Sequence, residues 1–159
     1  MTSILDAAEL LLVEVGFPKL TTNAIAERAG VSVGSVYQYF PNKQAIVAGI
    51  TRRLNEGIVR RVREGLEREA PLPERVHAVV DAICSRSEGD AELRRALLLH
   101  VPRSWEHTGM DTAEDQLARM IAKALPELTP NRTEEELSDL KFALIFAVRG
   151  AAQGALLHR

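Results

Sequence analysis

The sequence predicts an all-α protein. Apolar residues recur at helical spacing along nearly the whole chain, and no stretch alternates apolar and polar in the manner of a half-buried strand. Composition agrees: Ala, Leu, Glu and Arg are abundant, runs of β-branched residues are scarce, and aromatics make up 4%.

In chain order, Ile4, Ala8, Leu11, Leu12 and Val15 share one face of a first helix, which Gly16 ends. A second helix spans 22–29, with Ile25, Ala26 and Ala29 on one side and Gly30 as its stop. A short third segment, 33–40, ends at Pro41. Asn42 is a cap for a long fourth helix to about residue 69, along which Ile46, Ile50, Leu54, Ile58 and Val62 recur every four residues. Pro71 and Pro73 then mark the best break in the chain. Beyond it, 74–86 carries Val76, Val79, Val80, Ile83 and Cys84 on a common face, and 91–100 is a short helix before Pro102. From 112 to 125 the apolar set is Leu117, Met120, Ile121, Ala124 and Leu125, and Pro126 and Pro130 bound a loop. Thr133 and Glu136 read as a capping box that opens a last helix. The expectation is eight helices without an internal repeat.

Several classes are excluded at this level. The 159 residues suit one compact domain, or a small domain joined to a modest second one. With 46% apolar residues a sizeable core is possible, and ten Gly and seven Pro are too few for a fibrous or low-complexity chain. The single cysteine, Cys84, excludes an intramolecular disulfide and a four-cysteine zinc site, and it fits a reducing cytosol. No basic stretch followed by an apolar run opens the chain, and the longest apolar stretch, 142–157, is broken by Arg149 and Gln153. A cytoplasmic protein without a membrane span is expected.

The net charge of −2 conceals an asymmetry. Residues 1–63 hold eight Lys/Arg against five Asp/Glu, and the other 96 hold twelve against seventeen. A basic front and an acidic rear permit a polyanion at the N-terminal end.

The stretch that carries chemistry is 21–43, TTNAIAERAGVSVGSVYQYFPNK. Two short helices meet at Ala29-Gly30-Val31-Ser32, where Gly30 supplies a positive φ and Ser32 caps the second helix. That is the layout of a helix-turn-helix, whose second helix enters the major groove. Small residues at 33–35, the phenols of Tyr37 and Tyr39, and Lys43 offer the groups that contact phosphates.

Residues 4–50 resemble the DNA-binding domain of the tetracycline-repressor (TetR) family of transcriptional regulators. The likeness rests on Ile4-Leu5-Asp6-Ala7-Ala8, Gly16-Phe17, Thr21-Thr22, Ile25-Ala26, Ala29-Gly30-Val31-Ser32, Gly34, Tyr37, Tyr39-Phe40 and Lys43, with spacings that match throughout. It implies an N-terminal three-helix helix-turn-helix domain over 1–48, followed by a helical ligand-binding and dimerisation domain over 49–159. It also implies roles. Thr22 and Asn23 would contact phosphates, and Val33, Gly34 and Ser35 would face base edges or backbone. Tyr37 and Lys43 would clamp phosphates, and Gln38 and Tyr39 are further groove-side candidates. Phe40, without a polar handle, reads as core. The implied partners are double-stranded DNA carrying a palindromic operator, a second copy of the chain, and a small-molecule effector. A repressor released by ligand is the default reading.

For the rear half, 142–157 is apolar nearly all round, and Gly150, Ala151, Gly154 and Ala155 permit close helix approach. Two readings stay open: a dimer interface using Phe142, Phe146, Gly150 and Gly154, or a central core helix of one protomer. The family resemblance implies one more helix beyond Arg159. Polar or aromatic groups within apolar helices make His77, Asp81, Cys84, His100, Trp105 and Met110 the ligand-binding candidates, and 102–109 a segment able to gate a pocket. His100, His107 and Cys84 lack metal-ligand spacing, so neither metal nor cofactor is expected.

Two rivals come from other classes. An enzyme finds no support: Gly30-Val31-Ser32-Val33-Gly34 spells G-x-S-x-G, but a nucleophile elbow needs a strand before the serine, and a helix precedes it here. The alternative reading is a helical interaction module whose helix-turn-helix no longer binds DNA; the basic front, Lys43 and the tyrosines speak against it.

Overall fold

The computed structural model describes residues 2–84, 88–100 and 113–154, and among them it holds eight helices and no strand. In order these are α1 (Thr2–Lys19), α2 (Thr22–Ala29), α3 (Val33–Tyr39), α4 (Lys43–Glu67), α5 (Leu72–Cys84), α6 (Glu88–His100), α7 (Ala113–Leu128) and α8 (Glu134–Gly154). Two units form. The first gathers α1, α2, α3, α4 as far as Leu54, and α6; the second gathers α4 from Asn55, α5, α7 and α8.

The core of the first unit is built by amphipathic faces. Ile4, Ala8, Leu11 and Leu12 of α1 meet Ile25 and Ala26 of α2, Val36 of α3, and Ile46, Val47 and Ile50 of α4. Leu93 and Ala96 of α6 enter the same core, and α6 packs on α1. The helix joins this unit although its sequence lies past the Pro71–Pro73 break. Each buried Leu or Ile contributes about 1.5–3 kcal/mol. Gly49 marks the tightest crossing. A Cβ there would sit 3.1 Å from Leu5 Cδ2 and 3.1 Å from Phe40 Cε1, so α4 lies hard against both α1 and the end of α3.

Val15, expected on the buried face of α1, is exposed. The backbone leaves helical geometry at Gly16 (φ 73°, ψ 167°), and Leu20 turns back to fill that end of the core. Two polar ties brace α1 from outside. Arg28 of α2 grips Glu14 with two hydrogen bonds of 2.7 Å, which hold the Glu14 carboxyl below its ordinary range and raise Arg28. Arg53 of α4 reaches Asp6 and, at 3.7 Å, Glu9.

In the second unit, α4 and α5 cross at Gly65, where a Cβ would lie 3.2 Å from Ala78 Cβ and 3.3 Å from Val79 Cγ2. That approach decides which side of α5 faces inward: Val79, Ala82 and Ile83 are buried. Val76 and Val80, predicted to share the buried face, are exposed instead. Arg75 donates to the Leu66 carbonyl and so closes the end of α4.

Among the described side chains of α7, Leu117, Ala118, Ile121 and Leu125 are buried, and the helix packs along α8. The helix does not stop before Pro126. It carries that proline in its last turn, and Thr129 closes it, the backbone N–H and the hydroxyl both donating to the Leu125 carbonyl at 3.0 and 2.8 Å. The capping box is formed as predicted: Glu136 N–H donates to Thr133 Oγ1 (3.2 Å) and Thr133 N–H to the Glu136 carboxylate (2.9 Å). Those bonds, with Arg132 beside them, hold the Glu136 carboxyl below its usual value.

Phe142 and Phe146, one turn apart, are 66% and 58% exposed, with ring centroids 4.7 Å apart. Among the described residues no helix is long and apolar enough to cross a membrane.

Two substitutions check this packing. Gly16→Ala forces a side chain into a conformation held almost only by glycine, and lowers unfolding free energy by about 1–3 kcal/mol in urea titrations. Glu14→Gln is less stable than the parent at neutral pH, and the gap closes as pH falls through the depressed carboxyl pKa. A carboxyl with a lowered folded-state pKa adds stability only above that value.

Candidate nucleic-acid interface

The chain between α1 and α4 reverses three times, and side chains or glycine close each reversal. Thr21 caps α2, its hydroxyl accepting from Ala24 N–H at 3.1 Å. At the other end Gly30 adopts the left-handed conformation (φ 67°, ψ 31°). There Gly30 N–H donates to Glu27 (3.2 Å) and Val31 N–H to Ala26 (3.0 Å), the paired pattern that ends a helix on glycine. Ser32 then caps α3: Ser35 N–H donates to Ser32 Oγ at 3.0 Å, and the two serine hydroxyls lie 2.8 Å apart. Asn42 caps α4, its Oδ1 accepting from Ala45 N–H at 2.8 Å.

With only seven residues, α3 is positioned by the side chains it buries. Val36 is fully inside the core, and Phe40, just past the helix, is buried beside it. Everything else on α3 is exposed or half-buried. Val33, Gly34, Tyr37, Gln38 and Tyr39 all present surface, and Ser35 is half-buried. Gly34 is open: a Cβ there would meet only Ser32 Oγ, at 3.7 Å.

Two polar links join this helix to its neighbours. Tyr37 Oη and Thr22 Oγ1 lie 3.3 Å apart, so the phenol of α3 and the first residue of α2 sit on one surface, with exposed Asn23 next in sequence. Lys43, at the start of α4, donates to the Phe17 carbonyl, with its ammonium 3.8 Å above the centroid of the Phe17 ring. Partial burial pushes that ammonium below the ordinary lysine range.

The first unit therefore brings Thr22 and Tyr37 into contact, spreads Val33, Gly34, Gln38 and Tyr39 over the exposed sides of α3, and anchors Lys43 at the α1 kink. Sequence reasoning missed Phe17 as the seat of Lys43 and Arg53 as the tie to Asp6. Neither pair has a local signature, since 26 and 47 residues separate the partners. The G-x-S-x-G letters belong to this turn: Ser32 comes after a helix and uses its oxygen as a cap.

The other predicted site residues lie elsewhere. His77 and Asp81 are exposed on α5, and His77 Nδ1 is 2.8 Å from the Pro73 carbonyl. Phe142, Phe146 and Gly150 are exposed on α8. The side chains of Cys84 and His100, the surroundings of Gly154, and all of Trp105, His107 and Met110 lie outside the described residues.

Comparison with known proteins bears on the same segment. Residues 4–50 match the family model described as bacterial regulatory proteins, tetR family. The nucleoid occlusion factor SlmA of Vibrio campbellii is 27% identical over 129 residues, 81% of this chain and 65% of that protein, so the chain spans under two thirds of that relative's length. Among solved structures, a TetR-family transcriptional regulator from Streptomyces coelicolor superposes with a TM-score of 0.64 at 28% identity, covering 98% of this chain and 82% of that one. The regulator FadR of Bacillus subtilis, solved with stearoyl-CoA, shares the fold at a TM-score of 0.74 and 18% identity, covering 98% and 85%.

Ser32→Ala removes the α3 cap and costs about 1 kcal/mol of stability. Gly30→Ala costs about 1–2 kcal/mol through its left-handed backbone. Denaturant midpoints check both, and an unchanged midpoint for either would contradict the turn geometry.

Proposed function

We propose, from the match of residues 4–50 to the family model of bacterial regulatory proteins, tetR family, that this chain is a DNA-binding transcriptional regulator. It acts as a homodimer on a palindromic operator, with ligand release of repression as the default. The observation that carries the reading is the capped, outward-facing α3. A short helix held by one buried valine, with phenol, hydroxyl and carboxamide groups on its open side, is a shape suited to the major groove. Tyr37, Thr22 and Asn23 supply neutral phosphate donors on its flank, and Lys43 supplies a fixed cation.

The remaining assignments rest on the same premise. Two copies would set their α3 helices about 34–36 Å apart, one turn of DNA. The exposed Phe142–Phe146 pair and Gly150 on α8 supply an apolar, closely approachable surface for the second copy, and Gly154 is included with them on the sequence pattern alone. A small molecule in the rear half would act on DNA affinity through α4, which among the described helices is the one shared by both units, with a coupling on the order of 1–3 kcal/mol. His77, Asp81, Cys84, His100, Trp105 and Met110 remain the residues to test for that molecule. The chain works by binding rather than catalysis, in the cytoplasm.

Pull-down of genomic DNA at two salt concentrations tests the reading. Enrichment of a short palindrome that survives the higher salt is the expected result, with log affinity falling by about 0.9 per phosphate contact against log salt. Sequence-blind binding, or none, would instead favour the interaction-module alternative. Gly34→Ala sharpens the test. It retains or gains up to about 1 kcal/mol of folding stability, because nothing crowds the new Cβ. It nonetheless weakens operator binding if the backbone of α3 approaches DNA closely.

A further inference from the structure

The helix α3, with the sequence VGSVYQY, contains neither an acid nor a base. Val36 points into the core. At about 100° per residue the opposite side of the helix falls between Gly34 and Gln38, with Tyr37 and Ser35 flanking them; Val33 lies nearer the Val36 side but is the first residue of the helix and is 36% exposed there. The hydroxyl groups nearby already have partners: Ser35 Oγ lies 2.8 Å from Ser32 Oγ, and Tyr37 Oη lies 3.3 Å from Thr22 Oγ1. The cations on either side of α3 in the chain are held as well. Lys43 is seated on Phe17, and Arg28 is clasped by Glu14.

This inventory limits which base edges the helix can read. Guanine is most often recognised by an Arg or Lys donating to O6 and N7, and the cytosine amino group is read by a carboxylate. α3 offers neither. Its outermost side chain is the carboxamide of Gln38, which pairs with adenine through N6 and N7; Val33, exposed at the N-terminal position from which recognition helices reach base edges, offers methyls that match the C5-methyl of thymine. Gly34 lies between them in the sequence without a side chain, and leaves room for the backbone to come close enough for two short groups to reach.

Resting on the reading of α3 as the groove helix, we infer that the base pairs lying under it are A·T pairs, with an adenine facing Gln38 and a thymine methyl against Val33. One carboxamide and one pair of methyls set the sequence preference, and Tyr37 and Lys43 contribute affinity without it.

Selection of the full chain from a random double-stranded library tests the assignment, with the parent, Gln38→Ala and Val33→Ala compared and their folding checked by circular dichroism. The expected half-site has A·T pairs at the positions the two substitutions affect, and Gln38→Ala loses about tenfold discrimination at one of them. Uracil in place of the thymine under Val33 weakens the parent severalfold and leaves Val33→Ala unchanged. Replacing the adenine with 7-deazaadenine does the same for the parent and Gln38→Ala. A motif whose Gln38- or Val33-dependent positions are G·C, or one that neither substitution alters, overturns the inference and leaves the regulator reading intact. Sequence-blind binding, or none, overturns that reading and the inference together.

Discussion

Seven residues of helix do not hold together alone in water, because nucleation costs more than so few hydrogen bonds return. α3 exists as a helix because Val36 is driven into the core and because Ser32 and Phe40 terminate it on either side. The rest of the first unit serves that arrangement. α1 and α2 form the floor on which Val36 rests, Gly30 aims the chain into α3, and Gly49 lets α4 come close enough to trap Phe40. A surface of uncharged polar groups is thereby fixed in space by apolar contacts beneath it.

Much of this was legible in the sequence, for a physical reason. Caps and glycine stops act over three or four residues, so Gly30, Ser32, Asn42 and the Thr133–Glu136 box declare themselves locally, and each plays in the structure the part its spacing predicts. Helix existence and order were readable from periodicity in the same way. The candidate interface was legible as a segment because its residues are nearly contiguous.

The features that the sequence did not reveal are set by tertiary packing. Val76 and Val80 fit an apolar stripe as well as Val79 and Ile83 do; only the crossing at Gly65 decides which pair is buried. Val15 has the right phase for the core of α1 and loses its place to Leu20, once the backbone turns at Gly16. The docking of α6 on α1 brings together segments whose nearest ends, Lys19 and Glu88, are 69 residues apart, and no local pattern announces it. Pro126 misled differently: it sits in the last turn of α7, and the helix runs on to Leu128, where Thr129 closes it on the Leu125 carbonyl.

The seat of Lys43 on Phe17 has a thermodynamic consequence. A free lysine side chain samples many rotamers, and ordering one costs up to roughly 2 kcal/mol. Here the carbonyl and ring of Phe17 order it while the domain folds, so that cost falls on folding. An anion that later meets this ammonium meets a charge already fixed in direction, and loses none of its binding free energy to quieting a flexible arm.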